Sequence, residues 1–197
     1  LLAAILLILA FFIYLITKKW KRQNQLIDIS RKIALYFLAF TLVKYGFMKM
    51  FKQQFYMPEP NILATRFGAL DKDILYWSTM GTSYLYSLFL GLTEVICAAL
   101  ILIQRTRRVG LYIALGICFN IVFVNFGFNI GVKLLSCLLL LMTSFSLIEI
   151  HQSTIKFRFN KPWLKIMIIL FFLFESTWPS IANSNLYDDE AKRPFLH

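Results

Sequence analysis

Six runs of about twenty mostly apolar residues follow one another along the chain, each long enough to cross roughly 30 Å of hydrocarbon as a helix. They lie at Leu1–Thr17, Ile33–Phe51, Ser83–Ile103, Val109–Phe128, Val132–Ile150 and Trp163–Ile181. A helix that is apolar all round must be buried or face lipid. The composition agrees. Of 197 residues, 59% are hydrophobic and 16% charged, against about a quarter charged in a soluble domain. Mean hydropathy is +0.67. A soluble globular enzyme, a disordered chain and a disulfide scaffold are thereby excluded. The expectation is an all-α integral membrane protein with six transmembrane helices in one bundle.

The loops set its orientation. Lys18, Lys19, Lys21, Arg22, Arg31 and Lys32 follow the first run, Arg105, Arg107 and Arg108 the third, and Lys156, Arg158, Lys161 and Lys165 the fifth. The alternate loops hold only Lys52, Arg66, Lys72, Lys192 and Arg193, diluted by six acids. Basic loops stay in the cytoplasm, so both termini are expected outside, in a plasma (inner) membrane. The net charge of +11 then needs no nucleic acid. In the first run the basic cluster comes after the apolar stretch, the order of a retained anchor rather than a cleaved signal. The chain opens on Leu1 rather than Met, so upstream residues are expected. Three units follow: an anchor helix with a basic cytoplasmic loop over 1–32, a four-helix core over 33–150, and a basic loop, last span and outer tail over 151–197.

The loop between the second and third runs carries Met57-Pro58-Glu59-Pro60, which prefers extended backbone. Asp71–Trp77 is placed to start a short helix, with Tyr76 and Trp77 at headgroup level. Glu175 and Pro179 are expected to end the sixth helix early.

Few residues in the runs carry chemistry. Glu94 lies midway through the third, where a charge costs about 2.5–3.5 kcal/mol, so it must face the bundle and find a partner. Lys44 is closest to it in depth, and Asn120 lies at the same level. Glu94, Lys44 and Asn120 are expected to form a buried polar cluster, either an interhelical clamp or part of a proton or ligand site. Lys49, Asn125, Asn129 and Lys133 are expected in an outer vestibule. Cys97, Cys118 and Cys137 all lie in apolar runs with no CxxC pair, and are expected to stay reduced. Two histidines cannot build a zinc site, and no nucleotide-binding or serine-hydrolase motif occurs. No catalytic and no metal residue is assigned.

Three short elements are suggestive together: Gly46-x-x-Lys49 closing the second run, Gly91-x-x-Glu94 in the third, and the basic turn Arg105-Thr106-Arg107-Arg108 before Gly110. With Lys133 opening the fifth run, residues 31–150 resemble the DoxX/DoxX-like family of small membrane proteins. The resemblance implies a four-helix bundle, here flanked by one extra helix at each end, and a membrane-subunit role. Some members are linked to quinone-reducing or thiol-redox complexes. The expected function is therefore a membrane subunit or scaffold, without a cofactor, that binds a larger membrane or extracytoplasmic protein. The alternatives are a quinone-linked or proton-handling oxidoreductase subunit, with quinone as its cofactor, and a small transporter.

Overall fold

The computed structural model describes residues 23–152 and 162–184. Its α-helices are α1 (Gln23–Met50), α2 (Pro60–Ala64), α3 (Lys72–Gly81), α4 (Tyr84–Leu102), α5 (Arg107–Gly127), α6 (Lys133–Gln152) and α7 (Pro162–Ala182), with a 3-10 turn at Phe67–Ala69. No strand occurs among the described residues. Among the described residues three helical stretches are long and apolar enough to cross a membrane: Ser30–Met50 within α1, α4 and α5. The apolar stretches in α6 and α7 are shorter, Lys133–Ile148 and Ile169–Ala182. The first expected span, the basic loop 153–161 and the tail 185–197 lie outside the described residues.

Two boundaries depart from expectation. Helix α1 begins ten residues before Ile33, so Gln23–Lys32 is helix rather than loop. That stretch has no Gly or Pro to break the hydrogen-bond ladder. Helix α7 runs through Glu175 and Pro179 to Ala182. So close to the helix end, proline's missing N–H removes a single helical bond, and exposed Glu175 buries no charge.

Helices α1 and α4 pack antiparallel, and their closest approach is at two glycines. A Cβ on Gly91 would lie 2.5 Å from the Gly46 carbonyl oxygen, and one on Gly46 would lie 2.8 Å from that of Gly91. Small residues let helix backbones meet in this way. At the next turn the Cys97 thiol reaches the Gly110 carbonyl at 3.2 Å, Arg107 Nε donates to Ile101 O at 2.9 Å, and the Thr106 hydroxyl donates to Leu100 O at 3.0 Å. The orphan carbonyls at the end of α4 are thus satisfied by the basic turn itself. Helices α5 and α6 are antiparallel, with Cys118 against Thr143. Helix α7 lies along α1, Phe172 against Phe40 with ring centroids 4.6 Å apart. The core is a seam of Leu35, Leu38, Leu42, Cys97, Ala98, Ile101, Leu111, Ala114, Cys118 and Leu139.

The outward faces are apolar too, with Phe89, Ile96, Tyr112, Phe119, Phe123, Leu141 and Phe174 exposed. Water-exposed apolar surface on this scale is uncharacteristic of a soluble monomer; it is consistent with membrane association.

The glycine crossing makes a direct prediction. Gly91→Ala should lower stability by about 1–3 kcal/mol, the usual penalty of overpacking. Gly116→Ala, whose Cβ meets nothing within 4 Å, should be neutral or slightly stabilising. Thermal melts of both variants in one detergent check it; equal melting temperatures would refute a tight crossing.

Candidate functional site

Three residues beyond each crossing glycine stands a charged group, Lys49 on α1 and Glu94 on α4. Helical side chains lean toward their own N-terminus. In an antiparallel pair they therefore lean toward each other, and Lys49 Nζ meets Glu94 Oε1 at 2.5 Å. The two residues are 7% and 4% exposed. Lys49 Nζ also lies 5.9 Å from the centroid of the Phe55 ring, within cation–π range.

The pairing corrects the expectation for Lys44, which is exposed. Depth was the wrong criterion, because azimuth decides. Leu35, Leu38 and Leu42 are buried and mark the inward stripe of α1. Lys49 lies seven residues past Leu42, about 20° off that stripe at 100° per residue, whereas Lys44 is turned about 160° away. The lysine at the helix end then reaches back along the helix to Glu94.

The pair borders a cavity of about 80 Å³, partly open to the surroundings. Helices α1, α4, α5 and α6 all contribute to its wall, and Tyr76 and Trp77 of α3 close one end. Two tight helix ends shape it. Helix α1 stops in a reversal with Gln53 N bonded to Met48 O and Lys52 N to Lys49 O, Lys52 taking the left-handed conformation at φ 53°. This double bond pattern is a Schellman motif, and it returns Gln54 and Phe55 to the cavity wall. At the end of α5, Ile130 N bonds to Asn125 O and Asn129 is left-handed at φ 56°. That turn brings Ile130 to the same wall. Phe55, Tyr76 and Trp77 form an aromatic cluster, Phe55 lying 5.6 Å from Trp77 and 6.3 Å from Tyr76 between ring centroids. Burial pushes the Tyr76 hydroxyl up to about 12, with Tyr86 and Glu94 acting in the same direction. It is a neutral phenol at physiological pH.

The two asparagines exchange places relative to expectation. Asn125 is the buried one, 3% exposed, while Asn120 is exposed; both line the cavity. Lys49 leaves the expected vestibule for the buried pair. Asn129 and Lys133 do not join it: Lys133 Nζ donates to Asn129 Oδ1 across the turn between α5 and α6, and Asn129 is exposed. Gln54, Phe55, Tyr76 and Trp77 were not foreseen as site residues. Trp77 carried a signal, because it stands in a loop helix with an aromatic neighbour, but headgroup placement accounts for such a pair equally well.

Among the described residues no cluster of three His, Cys, Asp or Glu side chains could hold a metal. The three cysteines are free thiols.

The ion pair is testable by a double-mutant cycle. Lys49→Met and Glu94→Leu should each destabilise by about 3–5 kcal/mol, since each strands a buried charge. The double variant should lose much less than their sum. Lys44→Met should stay within about 0.5 kcal/mol of wild type, as an exposed substitution does. Chemical or thermal unfolding in detergent reads all four; additive losses would mean the two charges do not interact.

Comparison with known proteins gives one informative match. A Bacillus subtilis protein whose description reads "Uncharacterized protein YwoB" is 40% identical over 106 residues, 54% of this chain and 67% of that protein. No family model matches, and no solved structure matches.

Proposed function

Because this chain belongs to the family of YwoB, a kinship that brings no activity with it, we propose its function from the site: a membrane-embedded binding protein whose cavity takes a small amphipathic molecule. The observation that carries this reading is the buried Lys49–Glu94 pair on the wall of a mostly apolar cavity. A pair serving only to clamp two helices gains nothing from a cavity beside it, and packed interiors normally leave few such voids. Binding pockets share this construction of apolar and aromatic walls with a few placed polar groups. The ligand's polar end would lie against Lys49 and Glu94, and its body among Phe55, Trp77, Ile121, Val124 and Leu139.

In this reading the protein crosses the plasma membrane six times with both termini outside, and the cavity opens in the outer half of the bilayer. The three helices of spanning length support membrane insertion, and the alternating basic loops of the sequence support the orientation. The DoxX-like reading of residues 31–150 rests on its sequence elements alone. A quinone-linked subunit would be one form of such a binding protein. The scaffold reading draws on a different observation, the exposed Leu63 and Phe67 of the 51–83 connection, Phe67 at 74%. Those residues would face an extracytoplasmic partner.

Two measurements test the proposal. Cysteines introduced at Thr106 and Asn61, in a background without the native three, should label from opposite sides of right-side-out and inverted vesicles. Labelling of both from one side would overturn the topology. Organic extraction of nanodisc-purified protein should yield a near-stoichiometric small amphiphile that is absent from empty nanodiscs. Val124→Phe, which fills the cavity, should fold and lose it. A wild-type protein carrying no such molecule, but held in a stable complex with another protein, would replace the binding reading with the scaffold.

A further inference from the structure

Three loose polar ends specify what the cavity holds. Glu94 Oε2, Asn125 Nδ2 and Gln54 Oε1 are each buried without a hydrogen-bond partner, and all three residues line the same cavity. Elsewhere the buried hydroxyls of the bundle are satisfied locally: Thr143 bonds to Leu139 O, Ser146 to Met142 O and Ser176 to Phe172 O. Buried polar atoms in native proteins are nearly always paired, so three orphans on residues that wall one cavity mark the position of something that pairs them.

Their chemistry defines the complement. Two are acceptors and one is a donor, so the matching group donates two hydrogen bonds and accepts one. Charge narrows it further. Among the described residues Lys49 and Glu94 are the only charged ones on the cavity wall, and they neutralise each other. An added net charge would have no counter-ion in apolar surroundings. We propose that the cavity recognises an uncharged amphiphile whose head donates two hydrogen bonds and accepts one, a primary amide or a vicinal diol on an apolar body. This rests on the ligand-binding reading above and adds the chemistry of the head.

The test uses the full chain in nanodiscs with Trp20, Trp163 and Trp178 replaced by phenylalanine, leaving Trp77 on the cavity wall as the fluorescent reporter. Five decyl amphiphiles differing only in the head are titrated: decanamide, 1-decanoylglycerol, methyl decanoate, decanoate and decylamine. The amide and the diol should give a saturable change at about tenfold lower concentration than the ester, which has no donors. The two charged heads should not saturate. Gln54→Leu should weaken decanamide about fivefold, the effect of one hydrogen bond, and leave methyl decanoate unchanged. Asn125→Leu should weaken decanamide by a similar factor. Both variants spare the ion pair, so folding is preserved. Equal binding of ester and amide, or tighter binding of a charged head, would overturn the head-group inference while leaving the cavity a binding site. No saturation by any of the five also overturns it, and the extraction experiment then decides whether the binding reading falls as well.

Discussion

Burying a lysine and a glutamate together in an apolar bundle is the constraint to which the rest of the structure answers. Neither charge is tolerable alone at that depth, and their mutual attraction offsets desolvation only when the geometry is close. The closeness comes from Gly46 and Gly91, whose missing side chains let α1 and α4 approach backbone to backbone. Leucines at those two positions would hold the helices several ångströms further apart, within the usual 8–10 Å range of packed helices or beyond it. The opposite lean of side chains on antiparallel helices closes the remaining gap. The glycines and the charges are thus one device: a tight crossing that seats an ion pair one turn away.

Buried hydroxyls elsewhere in the bundle mostly find partners within their own helix. Hydroxyls on α6 and α7 return to the carbonyl four residues earlier, a local back-bond that needs no partner on another helix. The end of α4 is sealed by Thr106 and Arg107 from the following turn. Against this local economy the cavity is anomalous. It gathers a charged pair, three amides and four aromatic residues, and leaves several polar atoms unmet. Its walls depend on chain reversals as much as on helices, since the left-handed Lys52 and Asn129 return Gln54, Phe55 and Ile130 to it. A glycine at either position would make the same turn at lower conformational cost, and those two turns are the backbone elements on which the cavity's shape most depends.

The sequence by itself determined that the chain is helical and where most of its helices lie. Apolar runs of spanning length and the positions of the basic loops are local properties, and the observed ends of α4 and α5 lie within two residues of those expected from them. It also singled out Glu94, because a charge amid an apolar run is conspicuous in one dimension. What the tertiary structure alone decided is which side chains meet. Whether Lys44 or Lys49 reaches Glu94 depends on azimuth about α1 and on the depth at which α4 crosses it. Whether Asn120 or Asn125 is buried depends on which flank of α5 faces its neighbours. Gln54, Phe55, Tyr76 and Trp77 enter the site through turns and a short helix whose direction no periodic pattern encodes. Hydrophobic periodicity locates a helix and its apolar stripe to within a few residues, but an ion pair needs two atoms within 4 Å, and that precision arises only when two backbones have been brought together.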